Sequence, residues 1–155
     1  VFDLLDATGY PGMKVLQFAF DSGSSNMYLP HHYKKNCVVY TGTHDNTTTK
    51  RWYYELSTKT RNYTKAYLNN EHRPWEDISW DFIRLAISSV ADLAIIPMPD
   101  LLCCGSEGRI NHPSTLGNNW KWRMLDDEFT KEIKEKLYLL TKTFDRLPVE
   151  KPDDK

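Results

Sequence analysis

The sequence predicts an α/β fold with a parallel sheet, as the carboxyl-terminal portion of a larger α/β barrel. Three short runs of apolar and β-branched residues, at 13–18, 37–41 and 93–97, are typical of strands, and helical patterns lie between them. That order is typical of βα units with right-handed crossovers. A three-stranded parallel sheet would leave both outer strands as edges, and these strands are too apolar for edges. The chain also starts within a helical pattern and without methionine, whereas a complete barrel usually needs about 250 residues.

The first part of the chain is predicted to contain one helix end and the first strand. Residues 1–8 have a helical pattern, which Gly9 and Pro11 stop. After the first strand, a Gly/Ser loop is predicted at 21–26 and a polar loop at 30–36, which leads into the second strand.

Three helices are predicted between the second and third strands. Segments 47–56 and 59–68 each have hydroxyl residues placed to cap their start, and a break follows at 71–74. The helix at 77–88 is amphipathic, and Asp77 can serve as its cap. Its apolar face is formed by Ile78, Phe82, Ile83 and Leu85.

The last part of the chain begins with the third strand, which is nearly all apolar, as expected of a parallel strand covered on both faces. Single helical turns are predicted at 99–102 and 106–109. A long loop rich in Asn, Pro, Gly and Trp follows at 110–122, and a final helix at 127–144.

The composition excludes several classes of partner. The net charge of −1 and the pI of about 6.6 give no reason to expect nucleic acid or an anionic membrane. No apolar run approaches the roughly 20 residues that a membrane span needs. Three cysteines, Cys37, Cys103 and Cys104, make a poor disulfide framework and lack zinc-ligand spacing, so we expect reduced thiols in a cytoplasmic protein. The adjacent His31 and His32 cannot readily bind one metal, so we assign no metal and no cofactor.

The most informative stretch is Val-Val-Tyr-Thr-Gly-Thr-His-Asp-Asn at 38–46, where a predicted buried strand leads directly into His44 and Asp45. The carboxyl ends of strands are where parallel sheets and barrels build active sites. A polar turn would not need histidine beside aspartate. We therefore favour a functional His44–Asp45 pair over a plain polar turn.

Short motifs spread along the chain match one family. They lie at 12–20 (GMKVLQFAF), 29–31 (LPH), 40–46 (YTGTHDN), 88–91 (SSVA), 97–98 (PM), 100–102 (DLL), 105–107 (GSE) and 117–120 (GNNW). In this respect the chain resembles the bacterial 4-alpha-glucanotransferases, the amylomaltase or disproportionating enzymes of glycoside hydrolase family seventy-seven in the alpha-amylase clan. The likeness runs in register from about residue 11 to residue 122, and more loosely to residue 147.

The resemblance implies a (β/α)8 TIM barrel in which the three strands are the sixth, seventh and eighth. It implies a partial catalytic barrel domain over 1–147, followed by a charged, frayed tail at 148–155. The implied reaction breaks an α-1,4 glucosidic bond in a maltooligosaccharide or glucan. The enzyme then passes the glucan to the 4-hydroxyl of another sugar, with retention at the anomeric carbon.

The family uses three carboxylates, and one of them matches Asp45. A nucleophilic aspartate after the fourth strand and an acid/base glutamate after the fifth have no counterpart, because the amino-terminal barrel portion is missing from this chain. We therefore expect the isolated chain to be inactive. A fixed carboxylate such as Asp45 favours the positive charge of an oxocarbenium-like transition state.

The resemblance also implies which residues bind substrate: His44, Asn46 and Asn111. For His44 the alternative is that it only orients Asp45, and for Asn111 that its amide only braces the loop. Trp120 and Trp122 either stack on glucan or anchor their loop, and we favour anchoring.

Near these residues, Glu107 and Arg109 are predicted to form a structural ion pair. Neighbouring residues depart from the usual pattern of the family, so the preferred length of donor and acceptor is open. They are Thr47, Arg51, Cys103, Cys104, Gly108, Ile110 and Ser114.

Two rivals to a transferase remain from the sequence. One is a non-catalytic remnant that binds glucan or completes a barrel with a partner chain. The other is a hydrolase of the same clan, which the specific fit of the motifs disfavours.

Overall fold

The computed structural model describes residues 2–70 and 78–148, and three parallel strands form its sheet. The strands are β1 (Gly12–Val15), β2 (Cys37–Tyr40) and β3 (Leu93–Ile95), in the order β1-β2-β3. Their register places Met13 beside Val38, and Val38 beside Leu93. The predicted α/β class and parallel sheet are confirmed.

Helices occupy the predicted places, with shifted boundaries. They are α1 (Phe2–Thr8), α2 (Thr49–Glu55), α3 (Thr58–Leu68), α4 (Ile78–Ser88), the short α5 (Met98–Leu101) and α6 (Lys131–Thr143). The side chains of Thr48 and Ser57 accept hydrogen bonds at the starts of α2 and α3, as the hydroxyl pattern predicted. The predicted break at 71–74 and the cap at Asp77 lie outside the described residues.

Two boundaries were predicted wrongly. The first strand ends at Val15 rather than at residue 18, and Leu16–Phe18 forms a 3-10 turn. The last helix begins four residues later than predicted because the Thr130 hydroxyl caps it by accepting a hydrogen bond from Ile133 N. The two single turns predicted at 99–102 and 106–109 appear as α5 and a 3-10 turn at Ser106–Gly108.

One face of the sheet is covered by helices and the other is open. Val39 of β2 is fully buried in a core with Phe20 and Phe82, and full burial of such side chains stabilises by roughly 1.5–3 kcal/mol each. On the opposite face, Met13 is 55% exposed and Leu93 is 50% exposed. The sequence predicted that β3 is covered on both faces, but the described residues cover only one of them.

Arg146 ties the end of the chain to the turn between α4 and β3. Its guanidinium donates to Ile87 O at 2.6 Å, to Ser89 O at 2.8 Å and to Ala91 O at 2.7 Å. The last carbonyls of a helix lack partners within the helix, so this side chain satisfies groups that would otherwise face solvent. The chain is thereby fixed beside the amino end of β3.

Candidate active site

The loop after β2 presents His44 and Asp45 at the carboxyl end of the sheet. Both side chains are about half exposed, at 52% for His44 and 48% for Asp45. The turn is built locally, since Asn46 Oδ1 accepts hydrogen bonds from Thr43 N at 2.9 Å and from Thr43 Oγ1 at 2.8 Å. The Asn46 oxygen is therefore occupied within the turn, and its amide nitrogen is the atom that can donate to a ligand.

The structure brings three of the four predicted site residues into contact. Asn111, in the loop after β3 and α5, donates from Nδ2 to Asp45 Oδ1 at 2.6 Å. His44 Nε2 lies 3.4 Å from the same oxygen. Because both neighbours approach Oδ1, the Asp45 carboxylate has a fixed direction while its second oxygen has no partner among the described residues.

Trp120 packs beside the His44 ring at the edge of the site. Its ring lies 4.9 Å from the His44 ring, centroid to centroid, at 38° between planes, and the side chain is 55% exposed. Trp120 N donates to Ile110 O at 2.8 Å, which ties the main chain of this residue to the start of its own loop. That bond does not involve the indole, so anchoring of the loop by the Trp120 side chain stays a prediction.

The base of the site joins the ends of all three strands. Gln17, after β1, is 6% exposed and donates from its backbone N to Thr41 O and from Nε2 to Thr47 O at 2.9 Å. A Cβ at Gly42 would lie 2.5 Å from Gln17 Nε2, so only glycine leaves room for this amide. The turn that presents Asp45 is therefore held from the β1 side.

Asp100 of α5 holds the same turn from the β3 side. It is 2% exposed and accepts hydrogen bonds from Thr41 Oγ1 at 2.5 Å, from Thr49 N at 2.7 Å and from Thr49 Oγ1 at 2.8 Å. Burial raises the pKa of Asp100, and the three donated hydrogen bonds oppose that rise without cancelling it. The sequence had suggested no role for this residue, although a lone carboxylate within the apolar run Met-Pro-Asp-Leu-Leu could have indicated a buried, hydrogen-bonded side chain.

Arg109 is the second residue whose role the sequence did not reveal. The predicted ion pair with Glu107 is wrong: Glu107 Oε1 accepts from Gly105 N, and Arg109 contacts the site. Arg109 Nε donates to Asn111 O at 3.0 Å and Nη2 donates to Asp45 O at 3.0 Å. A nearby basic residue was visible in the sequence, but its partner 64 positions away was not.

In residues 2–70 and 78–148, no three His, Cys, Asp or Glu side chains are grouped so that they could hold a metal ion. Nor does any helix in them combine the length and apolarity needed to cross a membrane. The chemistry at hand is thus that of a carboxylate, an imidazole, two amides and an aromatic ring.

A model of the 4-alpha-glucanotransferase family, glycoside hydrolase family 77, matches residues 1–129 of the chain. The chain belongs to this family. A 4-alpha-glucanotransferase of Clostridium butyricum is 49% identical over 139 residues, which are 90% of this chain and 28% of that protein. One from Thermus thermophilus is 42% identical over 149 residues, 93% of this chain and 30% of that protein.

A solved structure also matches this family member closely. The amylomaltase of Streptococcus agalactiae, in complex with acarbose, superposes with a TM-score of 0.89 at 33% identity, over 95% of this chain and 30% of that one. The chain therefore spans about three tenths of the length of the relatives it matches.

Proposed function

We propose that this chain forms the sixth to eighth strands of the (β/α)8 barrel of a 4-alpha-glucanotransferase, and that Asp45 is its third catalytic carboxylate. The observation behind the proposal is the Asn111–Asp45 contact at the carboxyl ends of parallel strands, in a chain of this family. The reaction proposed is transfer of an α-1,4-glucan segment to a 4-hydroxyl, with retention.

Asp45 acts by charge in this proposal. Glycosyl transfer passes through an oxocarbenium-like state, and a preorganised carboxylate stabilises that developing positive charge more than it stabilises bound substrate. The hydrogen bond from Asn111 fixes Oδ1, so the second oxygen of Asp45 faces the sugar. No reorganisation of the carboxylate is then needed during the reaction.

The neighbouring side chains bind sugar hydroxyls. His44 and the amide nitrogen of Asn46 stand on the same turn as Asp45, and both can donate hydrogen bonds to one glucose unit. Asn111 reaches the site from the other loop. A relative in this family has been solved with acarbose, which makes acarbose the natural first ligand to test.

The open face of the sheet supports the proposal that further strands complete a barrel. Met13, Leu93 and Ile95 are 55%, 50% and 39% exposed, and they alternate along their strands with residues that face the helices. Apolar strand residues on an uncovered face are expected where further strands close a barrel around them. An amino-terminal barrel portion would also bring the nucleophile and the acid/base residue.

The first experiment uses the 155-residue chain alone. Incubated with maltotriose, it should release no glucose and form no longer dextrins, because the covalent glycosyl-enzyme step lacks its nucleophile and its acid/base residue. Robust disproportionation by the purified chain would refute this part of the proposal.

The second experiment restores the rest of the barrel. In a chimera, this chain replaces the matching 28% of the Clostridium butyricum enzyme, and the unaltered enzyme is the control. We expect the chimera to disproportionate maltotriose, and Asp45→Asn in it to lower kcat far more than it changes KM. A chimera that unfolds cooperatively but transfers no glucan would favour the non-catalytic remnant instead.

A cytoplasmic location is part of the proposal and depends on reduced thiols. In the structure Cys37, Cys103 and Cys104 form no disulfide bond. Two related plant enzymes, from Arabidopsis thaliana and Solanum tuberosum, are named as chloroplastic or amyloplastic. Fractionation of cells that express the tagged chain would test the location.

A further inference from the structure

We propose that Arg109 is a positioning residue that sets the distance between the Asp45 carboxylate and the Asn111 amide. This inference rests on the proposed function, because it concerns the same site. The two Arg109 bonds go to the backbone carbonyls of Asp45 and Asn111, each at 3.0 Å. Those are the two residues whose side chains meet at 2.6 Å.

Three hydrogen bonds among these three residues form a closed ring. From the Arg109 guanidinium the ring runs through the Asp45 main chain to its carboxylate, across to the Asn111 amide, and back through the Asn111 main chain. A guanidinium is planar and its N–H groups have fixed directions, so two bonds to two loops fix the spacing of those loops. Arg109 belongs to the loop of Asn111, so its bond to Asn111 O orients the guanidinium and its bond to Asp45 O joins the two loops.

Arg109 achieves this without occupying the carboxylate. Its described contacts are with carbonyl oxygens, not with Oδ1 or Oδ2 of Asp45. An ion pair would take lone pairs that a sugar needs and would offset the negative charge. Binding to the main chain leaves the carboxylate available and places a positive group behind the turn.

The contact joins parts of the chain that are far apart in sequence. Arg109 and Asp45 are 64 residues apart, and the bond from Asn111 to Asp45 spans 66 residues. Within the described residues, positions 44–45 contact the loop at 109–120 through these two hydrogen bonds and through the rings of His44 and Trp120, whereas Asp100 holds the turn at Thr41 and Thr49. Loss of the guanidinium therefore leaves the alignment to the side-chain contacts alone.

The test is a kinetic double-mutant cycle in the chimera described above. Arg109→Met keeps an unbranched side chain that can pack like the arginine stem but removes the donors, and we expect kcat to fall at least about tenfold while KM changes less than about threefold. In the Asp45→Asn background the same change should lower kcat less than about twofold, because Arg109 acts through the Asp45 carboxylate. Equal losses in both backgrounds would show a merely structural role and overturn the proposal.

Two further variants separate geometry from charge. Arg109→Lys keeps the positive charge without the planar fork, so it should lose nearly as much activity as Arg109→Met. Arg84→Met removes an exposed arginine of α4 whose guanidinium lies over the Phe144 ring, away from the site, and should leave kcat unchanged. Full activity of Arg109→Lys would show that charge alone suffices and would contradict positioning by the fork.

A measurement on the 155-residue chain distinguishes failure of this inference from failure of the proposed function. Amide hydrogen exchange at 43–46 and 109–112 should be at least about tenfold faster in Arg109→Met than in the unaltered chain, and unchanged in Arg84→Met. An inactive unaltered chimera with this exchange pattern refutes the transferase but keeps the role of Arg109. Unchanged exchange overturns the role of Arg109 whatever the activity.

Discussion

Replacement of Asp100 by alanine should destabilise the protein by about 3 kcal/mol, although this residue lies outside the exposed site. The change removes three hydrogen bonds and leaves Thr41 Oγ1, Thr49 N and Thr49 Oγ1 without their carboxylate, in residues that are fully buried. A buried donor without a partner costs about 1–3 kcal/mol. Rotation of the two hydroxyls and removal of a buried charge reduce the sum, whereas the backbone N–H of Thr49 cannot turn away.

Asp100→Asn is the matched control. The Asn oxygen can still accept from Thr49 N, and its amide can donate to both hydroxyls after they rotate, so we expect a loss of about 1 kcal/mol or less. Urea unfolding followed by tryptophan fluorescence gives both free energies of unfolding. An alanine variant no less stable than the asparagine variant would refute the reasoning.

The pH dependence of the same pair tests the charge on Asp100. Because burial raises its folded pKa above the usual value of 3.8, the folded protein binds this proton more tightly than the unfolded chain does. The stability of the unaltered protein relative to Asp100→Asn should therefore decrease as pH rises from about 4 to the folded pKa, by at most about 1.4 kcal/mol per unit. An increase over that window would contradict the direction of the shift.

Three further changes test other parts of the structure. Gly42→Ala should destabilise by about 1–3 kcal/mol, because its Cβ would lie 2.5 Å from Gln17 Nε2; stability equal to the unaltered protein in urea unfolding would contradict that packing. Arg146→Met should lower the free energy of unfolding by about 2 kcal/mol, because three donated hydrogen bonds are lost, and Arg146→Lys should lower it by less. Equal losses in the two variants would contradict a role for these hydrogen bonds of the guanidinium. Burial, with nearby acidic groups, raises the pKa of Cys104 to about 11. Alkylation of this thiol by iodoacetamide at pH 8 should therefore be about 100-fold slower in the folded protein than in urea, and its rate should rise about tenfold per pH unit. Rapid labelling of Cys104 at pH 8, measured by mass spectrometry, would refute this.

Elements governed by local chemistry could be predicted from the sequence. The apolar pattern located all three strands, and hydroxyl caps located α2 and α3. The first strand was predicted too long, because Leu16–Phe18 turns where Gln17 bonds to the loop after β2, and no local pattern encodes that partner. Helix α6 starts late because Glu128 Oε2 accepts from Leu125 N in a separate turn before the helix.

The residues of the candidate site likewise divide into those that local sequence reveals and those that depend on the folded chain. His44 and Asp45 were visible because two titratable residues directly follow a strand, and Asn111 was found through the family resemblance. Asp100 was given no role and Arg109 was paired wrongly with Glu107, because their partners are about 60 residues away and only the folded chain brings them together. The contact between His44 and Trp120 likewise depends on how the long loop folds back.

The three-stranded sheet has a practical consequence for handling the molecule. Within the described residues β1 and β3 are both edge strands, and on one face of the sheet Met13 and Leu93 are about half exposed. Unpaired edge strands and exposed hydrophobic patches promote self-association in concentrated solution. Preparations of the lone polypeptide are therefore best kept dilute and checked by light scattering, and co-expression with a complementary barrel segment should improve the soluble yield.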